Sequence, residues 1–365
     1  MLAPSCSLSA SVSVSQNRRV SPSLSLSSSL SRRCQHIVVS SASSSSSASA
    51  SLAASTSAPT TMRALSSILE LYEEGYRGFL LDQFGVLHDG VTPYPGAVDA
   101  VRSLAEAGAS LVLVSNSSQR AQNVWKRLEP MGFLPSYFVG VITSGELANE
   151  AFATRGEGVG PLAGHKDVSR VIHFTWAERG KISLDGLKLE CTTEAAEAEI
   201  VLASGVDAMG TRDGPPTPRS LDELKEIARK CAERDLPIVI ANPDYVTVAG
   251  AQDGKPLAEM PGAFMKVYES CGKKDRILCM GKPGTFMFER GVATLQAHND
   301  ALTLENIVMV GDSLHHDITG AKSANVHSVW VLNGIHADDI SQKGAEATVA
   351  AEGVALPEFT LSEFR

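Results

Sequence analysis

Three short apolar runs in this 365-residue chain end on polar residues that would be out of place inside a core. FLLDQFG turns polar at Asp82, SLVLVSNSS at Ser115 and Asn116, and NIVMVGDS after Gly311, at Asp312. Runs rich in Val, Ile and Leu recur along the chain, at Gly78 to Asp82, Ser110 to Ser115, Pro237 to Ala241, Arg276 to Met280, Asn306 to Gly311 and Val326 to Leu332. Amphipathic stretches of helical period stand between them, the clearest being Ala97 to Ala107, Leu221 to Arg234 and Thr285 to His298. Strand runs alternating with helices predict an α/β protein built on parallel strands and crossover helices. In open parallel sheets ligands bind beyond the carboxyl ends of the strands, so the three polar tips are expected to converge on one crevice.

The stretch from 140 to 277 separates the second tip from the third and carries strand candidates of its own, RVIHF at 170 to 174 and EIVLASGV at 199 to 206. It is domain-sized and far too long for a loop, which predicts an inserted domain between core segments 63–139 and 278–365. Residues 1 to about 60 differ from the rest: they are crowded with Ser and Ala, no acidic residue precedes Glu70, and their only charges are Arg18, Arg19, Arg32 and Arg33. That is the composition of an organelle transit peptide, with serine richness favouring the chloroplast stroma over the mitochondrion. A retained low-complexity tail is the alternative. Subtracting those four arginines from 32 basic residues leaves 28 against 41 acidic ones, a charge of about −13 that disfavours nucleic acid and anionic membranes. The apolar runs beyond this segment fall well short of the roughly 20 residues a membrane span needs. Cys191, Cys231, Cys271 and Cys279 form no C-x-x-C pair, which points to reduced thiols and away from a zinc or disulfide framework.

Two carboxylates at neighbouring strand tips, Asp82 and Asp312, repel unless a cation lies between them, and hard oxygen ligands suit Mg2+. Lys282, after the apolar run in CMGKPGTF, offers a cation to the same pocket, and Ser115 and Asn116 offer phosphoryl-oxygen donors. Together these groups compose a route to phosphoryl transfer through an aspartyl-phosphate. Singly each has a plainer reading: an Asp after a strand is often a helix N-cap, Ser-Asn a turn, and a lone lysine a solvated charge.

The order of these residues resembles the haloacid dehalogenase (HAD) superfamily, and their spacing resembles its class IIA phosphatases. The resemblance runs over roughly 75 to 335 and rests on DQFGVLHDG, LVLVSNSS, GKPG and GDSLHHDI, with PYPGA, TSGELA and VLNG as further matches. It implies a Rossmann-like parallel-sheet core with an inserted α/β class IIA cap. It also implies a Mg2+-dependent phosphatase or phosphotransferase acting on a small phosphorylated metabolite. Asp82 stands at the family's nucleophile position, Ser115 at its phosphate-binding hydroxyl and Lys282 at its lysine. The resemblance gives the metal shell as Asp82, Asp312, Asp317 and the backbone carbonyl of residue 84. ANPDYVTVAG at 241 to 250 resembles the cap's specificity loop and brings Asp244 and Tyr245 toward the leaving group, where a strand exit is the alternative. Dimerisation through the cap is a further implication by analogy.

One departure matters. Phe84 occupies the place where family phosphatases carry a second aspartate, the general acid and base. A positioned acid–base group is worth about 10²- to 10⁴-fold in rate, so poor leaving groups are expected to suffer most. His88, in the flap after the glycine turn, is the nearest surrogate or substrate contact, against a reading in which it is only a flap residue. Two other functions stay open: a phosphometabolite-binding or regulatory protein with little turnover, and a metal-independent dehalogenase, which the intact aspartates of GDSLHHDI disfavour.

Overall fold

The computed structural model describes residues 61–157, 160–178, 184–247 and 258–365. Residues 1–60, expected from composition to be a transit peptide, therefore lie outside the described residues, as does the end of the 241–250 loop. Seven strands form one sheet in the order Arg63–Leu65, Phe359–Leu361, His327–Val331, Ile307–Gly311, Gly78–Leu81, Ser110–Ser115, Gly140–Thr143. Every neighbouring pair in it is parallel.

The uniformly apolar strand runs follow from this position, because both faces of the sheet are covered. Leu80, Val112, Val114, Ile307 and Met309 join one apolar cluster. Their strand neighbours Phe79, Leu81, Leu111, Leu113, Val308 and Val310 join another, as the two-residue period of a strand requires. Helix Thr285–His298 supplies Met287, Phe288 and Leu295 to the first cluster. Helix Ala97–Ala107 supplies Ala97, Ala100, Val101 and Leu104 to the second. Gly291 lets the first helix approach closely: a β-carbon there would fall 2.8 Å from Leu80 Cδ2.

A second, mixed sheet runs Ile277–Cys279, Ile238–Ile240, Ile200–Ala203, Arg170–Thr175, Ala208–Met209, Thr217–Pro218. Helices Leu221–Glu233, opened by a Ser220–Glu223 capping box, and Ala263–Ser270 pack on it through Leu224, Ala228, Phe264 and Tyr268. This is the expected insert, but its edges move. Gly140–Thr143 pairs with Ser110–Ser115 and so belongs to the first sheet, which places the departure after Thr143. Ile277–Cys279 pairs with Ile238–Ile240, so it is the insert's last strand and not a strand of the core. Among the described residues no helix is long and apolar enough to cross a membrane.

Candidate active site

Strand Gly78–Leu81 lies between Ile307–Gly311 and Ser110–Ser115, so their carboxyl ends sit side by side. Asp82 follows the first, with its N–H donated to the Val310 carbonyl at 3.0 Å. Asp312 follows the second, and Ser115 closes the third. The chain after Asp82 turns back at once: the N–H groups of Leu87 and His88 both donate to Gln83 O. Gly85 sits at φ +81°, where a β-carbon would fall 1.9 Å from Asp312 Oδ2, so the turn demands glycine on both counts.

Lys282 is brought in by the loop that leaves the second sheet, not by a strand tip of the first. Its Nζ lies 2.6 Å from Asp82 Oδ1, 2.7 Å from Asp317 Oδ1 and 3.2 Å from the Val114 carbonyl. Asp317 is carried by a single π-helical turn, Leu314–Ile318, and its Oδ2 accepts the Ser313 N–H at 3.0 Å. Asp312 is held from two sides: Ile335 N donates to its Oδ2 at 2.8 Å and the Trp330 indole to its carbonyl at 3.0 Å. A β-carbon on Gly334 would fall 2.2 Å from this aspartate, and one on Gly311 2.1 Å from Asp317 Cγ. The backbone thus wraps the carboxylates tightly.

Carboxylate oxygens of Asp82, Asp312 and Asp317 lie within 4.8 Å of one another, all three side chains being buried. Burial, the largest effect, pushes Asp82 up to about 7, with Lys282 opposing and Asp317 adding repulsion. Burial also raises Asp312 well above the usual carboxylate range, reinforced by Asp82 and Asp317. For Lys282 burial works to lower the pKa, but the Asp317 and Asp82 carboxylates outweigh it and keep the ammonium charged. Three acids against one ammonium leave a deficit of positive charge that a small divalent ion would supply. An ion with oxygen ligands at about 2.1 Å spans about 4 Å, so small side-chain rotations would close the set around it. The residues fit a hard cation.

Not every expected contact is made. Ser115 is buried and its Oγ accepts the Ser117 N–H at 3.3 Å. Asn116 reaches the site, but its amide is committed. Its Oδ1 accepts Lys282 N–H at 2.7 Å, and its Nδ2 donates to Lys282 O at 3.2 Å and Asp244 Oδ1 at 2.8 Å. It therefore positions the lysine loop and ties it to the insert. Asp244 comes from the insert and also faces His316 Nδ1 at 3.5 Å. Tyr245 lies with its ring beneath Lys266 Nζ, 4.5 Å from the centroid. His88 is fully buried in the flap: Nδ1 accepts the Gly90 N–H at 2.9 Å, and its ring meets Phe84 edge-on at 4.7 Å. Burial, then the charge of Arg127, pushes it down to about 4, so it is a neutral imidazole near pH 7. That disfavours a proton-donating surrogate. Phe84 itself packs against His88, with the Arg127 guanidinium 5.3 Å from its ring centroid.

Sequence reasoning missed His316, Arg127 and Trp330. The signal that could have found His316 is its place one residue before Asp317, on the same turn. Trp330 closes on Asp312 from the neighbouring strand, and its only sequence signal is the match at VLNG just beyond it.

Residues 79–172 match a family model described as haloacid dehalogenase-like hydrolase, and residues 279–355 match one described as HAD-hydrolase-like. The gap between them falls in the insert. Chronophin of Mus musculus is 26% identical over 273 residues, spanning 71% of this chain and 82% of its own length; that of Bos taurus is 27% identical over 289 residues, spanning 75% and 86%. Among solved structures, a haloacid dehalogenase-like hydrolase from Brucella suis 1330 superposes with a TM-score of 0.63 at 24% identity, covering 82% of this chain and 100% of that one. A p-nitrophenyl phosphatase from Archaeoglobus fulgidus gives 0.55 at 22%, covering 79% and 96%. These superpositions establish the shared fold.

Proposed function

Because the chain belongs to the haloacid dehalogenase-like hydrolases, we propose that it transfers phosphoryl groups from small phosphorylated metabolites through an aspartyl-phosphate on Asp82. The observation that carries this reading is the buried carboxylate trio with Lys282 at 2.6 Å from Asp82. Asp82 would attack phosphorus with one carboxylate oxygen while the bond to the leaving-group oxygen breaks. Lys282 holds Asp82 and Asp317 in place and offsets the negative charge gathered on the phosphoryl oxygens. The Ser115 hydroxyl donates to one of those oxygens, and Asn116 fixes the lysine loop through its backbone. Asp82, Asp312, Asp317 and the Phe84 carbonyl would hold Mg2+, which when bound neutralises phosphoryl charge.

At residue 84 no side chain can pass a proton to the leaving group or take one from water. Aryl and acyl phosphates, whose leaving groups depart as stable anions, are therefore the favoured substrates. The name of one structural neighbour, the p-nitrophenyl phosphatase of Archaeoglobus fulgidus, accords with the aryl part of this class. The test is phosphate release from an aryl phosphate and an acyl phosphate by the purified chain. Turnover should require Mg2+, stop with chelator and vanish in Asp82→Asn. No metal-dependent release across a broad panel would refute it. A second reading, a phosphometabolite-binding protein with little turnover, is favoured by Phe84 and its packing against His88 and Arg127. Tight phosphate binding that survives Asp82→Asn without turnover would support it. Import into the chloroplast belongs to the same proposal, tested by whether residues 1–60 carry a fluorescent fusion there.

A further inference from the structure

Outside the carboxylate trio, the described residues hold one more group of donors able to share an ion. His336, Asp339 and Glu352 each place a ligand atom within 4.8 Å of the other two. His336 precedes helix Ala337–Lys343, and Asp339 lies three residues on, on the same helical face. Glu352 ends the next helix, Ala345–Glu352. Ile340, Ala345 and Val349 of the two helices pack with Leu314 and Trp330 in one apolar cluster, which fixes how the donors face each other.

The geometry points to a binding site for a divalent transition ion of the zinc class, formed by His336, Asp339 and Glu352 and separate from the active site. An imidazole nitrogen with two carboxylates suits zinc, cobalt or manganese, whereas magnesium prefers oxygen throughout. Three protein ligands leave at least one position open to water or to an exchangeable anion. Glu352 is oriented by His315, whose Nε2 lies 2.6 Å from Oε2, the kind of outer partner that metal-bound carboxylates use. Competing holds are weak: Leu314 N reaches His336 Nε2 only at 3.4 Å, and Lys343 Nζ lies 3.5 Å from Asp339 Oδ1.

The site also touches the frame around Asp312. The residue before His336, Ile335, donates its N–H to Asp312 Oδ2, and the His336 ring lies edge-on to Trp330, whose indole holds the Asp312 carbonyl. An ion bound there would stiffen the segment that fixes the catalytic-side aspartate.

The test uses the full chain, stripped of metal and given excess Mg2+, with Co2+ as probe in equilibrium dialysis and visible absorption. Wild type should take one Co2+ per chain, displaced by Zn2+, with the absorption of an imidazole-ligated ion. His336→Gln and Glu352→Gln should each lose that equivalent while melting as the wild type does, and His315→Asn should weaken it about 10- to 100-fold. Unchanged Co2+ uptake in both glutamine variants, or none in the wild type, overturns the proposal. Stoichiometry is read without turnover, so this outcome is independent of the catalytic reading.

Discussion

Phe84 and His88 are the two residues at which local chemistry departs most from expectation, and each yields a measurement. Phe84→Asp restores a carboxyl at the place of the missing acid and also removes a ring that His88 and Arg127 contact. If the remaining machinery is intact, kcat on an alkyl phosphate should rise by about 10²- to 10⁴-fold, and that on an aryl phosphate far less. An equal response of both substrates would show that leaving-group protonation is not what the chain lacks. His88 makes a prediction about stability. Its ordinary pKa of 6.5 is pushed down to about 4 by burial and Arg127. Between these values the unfolded chain takes up a proton that the folded chain refuses. The contribution is therefore fully present above about pH 6.5 and is lost as pH falls toward 4, amounting to at most about 3 kcal/mol. Urea unfolding across this range should show wild type losing more stability than His88→Gln; parallel curves would contradict the assignment.

At the level of elements, the active site is a set of strand tips kept close by glycines. Gly334 is the most telling, because a β-carbon there would meet both Cβ and Oδ2 of Asp312 at 2.2 Å. Gly334→Ala should displace that aspartate, raise the Mg2+ concentration for half-maximal turnover about 10- to 100-fold, and lower the melting temperature, because the added carbon overpacks a closed site. An unchanged metal requirement would mean that Asp312 is not a ligand. The parallel strands were legible in the sequence because burial on both faces leaves continuous apolar runs, and the polar residue ending each run marks its tip. Helices Ala97–Ala107 and Thr285–His298 came out with the expected bounds for a similar reason, since their apolar faces keep the helical period. What was not legible is partnership. The run at Ile277–Cys279 looks like a core strand, and only pairing with Ile238–Ile240 assigns it to the insert. Nor does anything in the chain order say that Asn116 is spent on the Lys282 backbone, or that Tyr245 turns beneath Lys266.

Over the whole molecule, insert and core share more than a hinge. One apolar cluster runs from Leu80 and Val112 of the first sheet through Phe152 to Val171, Leu202 and Val239 of the second. Polar crossings join them too: Arg120 pairs with Glu146 and Arg290 with Glu150, and beside the active site Asn116 donates to Asp244, with His316 on the other side of that carboxylate. Asp244→Ala should raise KM by about tenfold, the worth of one charge-assisted hydrogen bond, while kcat moves much less. A fall in kcat alone would place Asp244 in the chemistry instead. The account as a whole depends on Asp82 carrying the phosphoryl group. The most direct measurement is to quench the chain during turnover of an acyl or aryl phosphate with Mg2+, reduce it with borohydride and sequence the peptides. Homoserine at position 82, and nowhere in Asp82→Asn, is the expected result. Continued phosphate release with Asp82 recovered unmodified would contradict it.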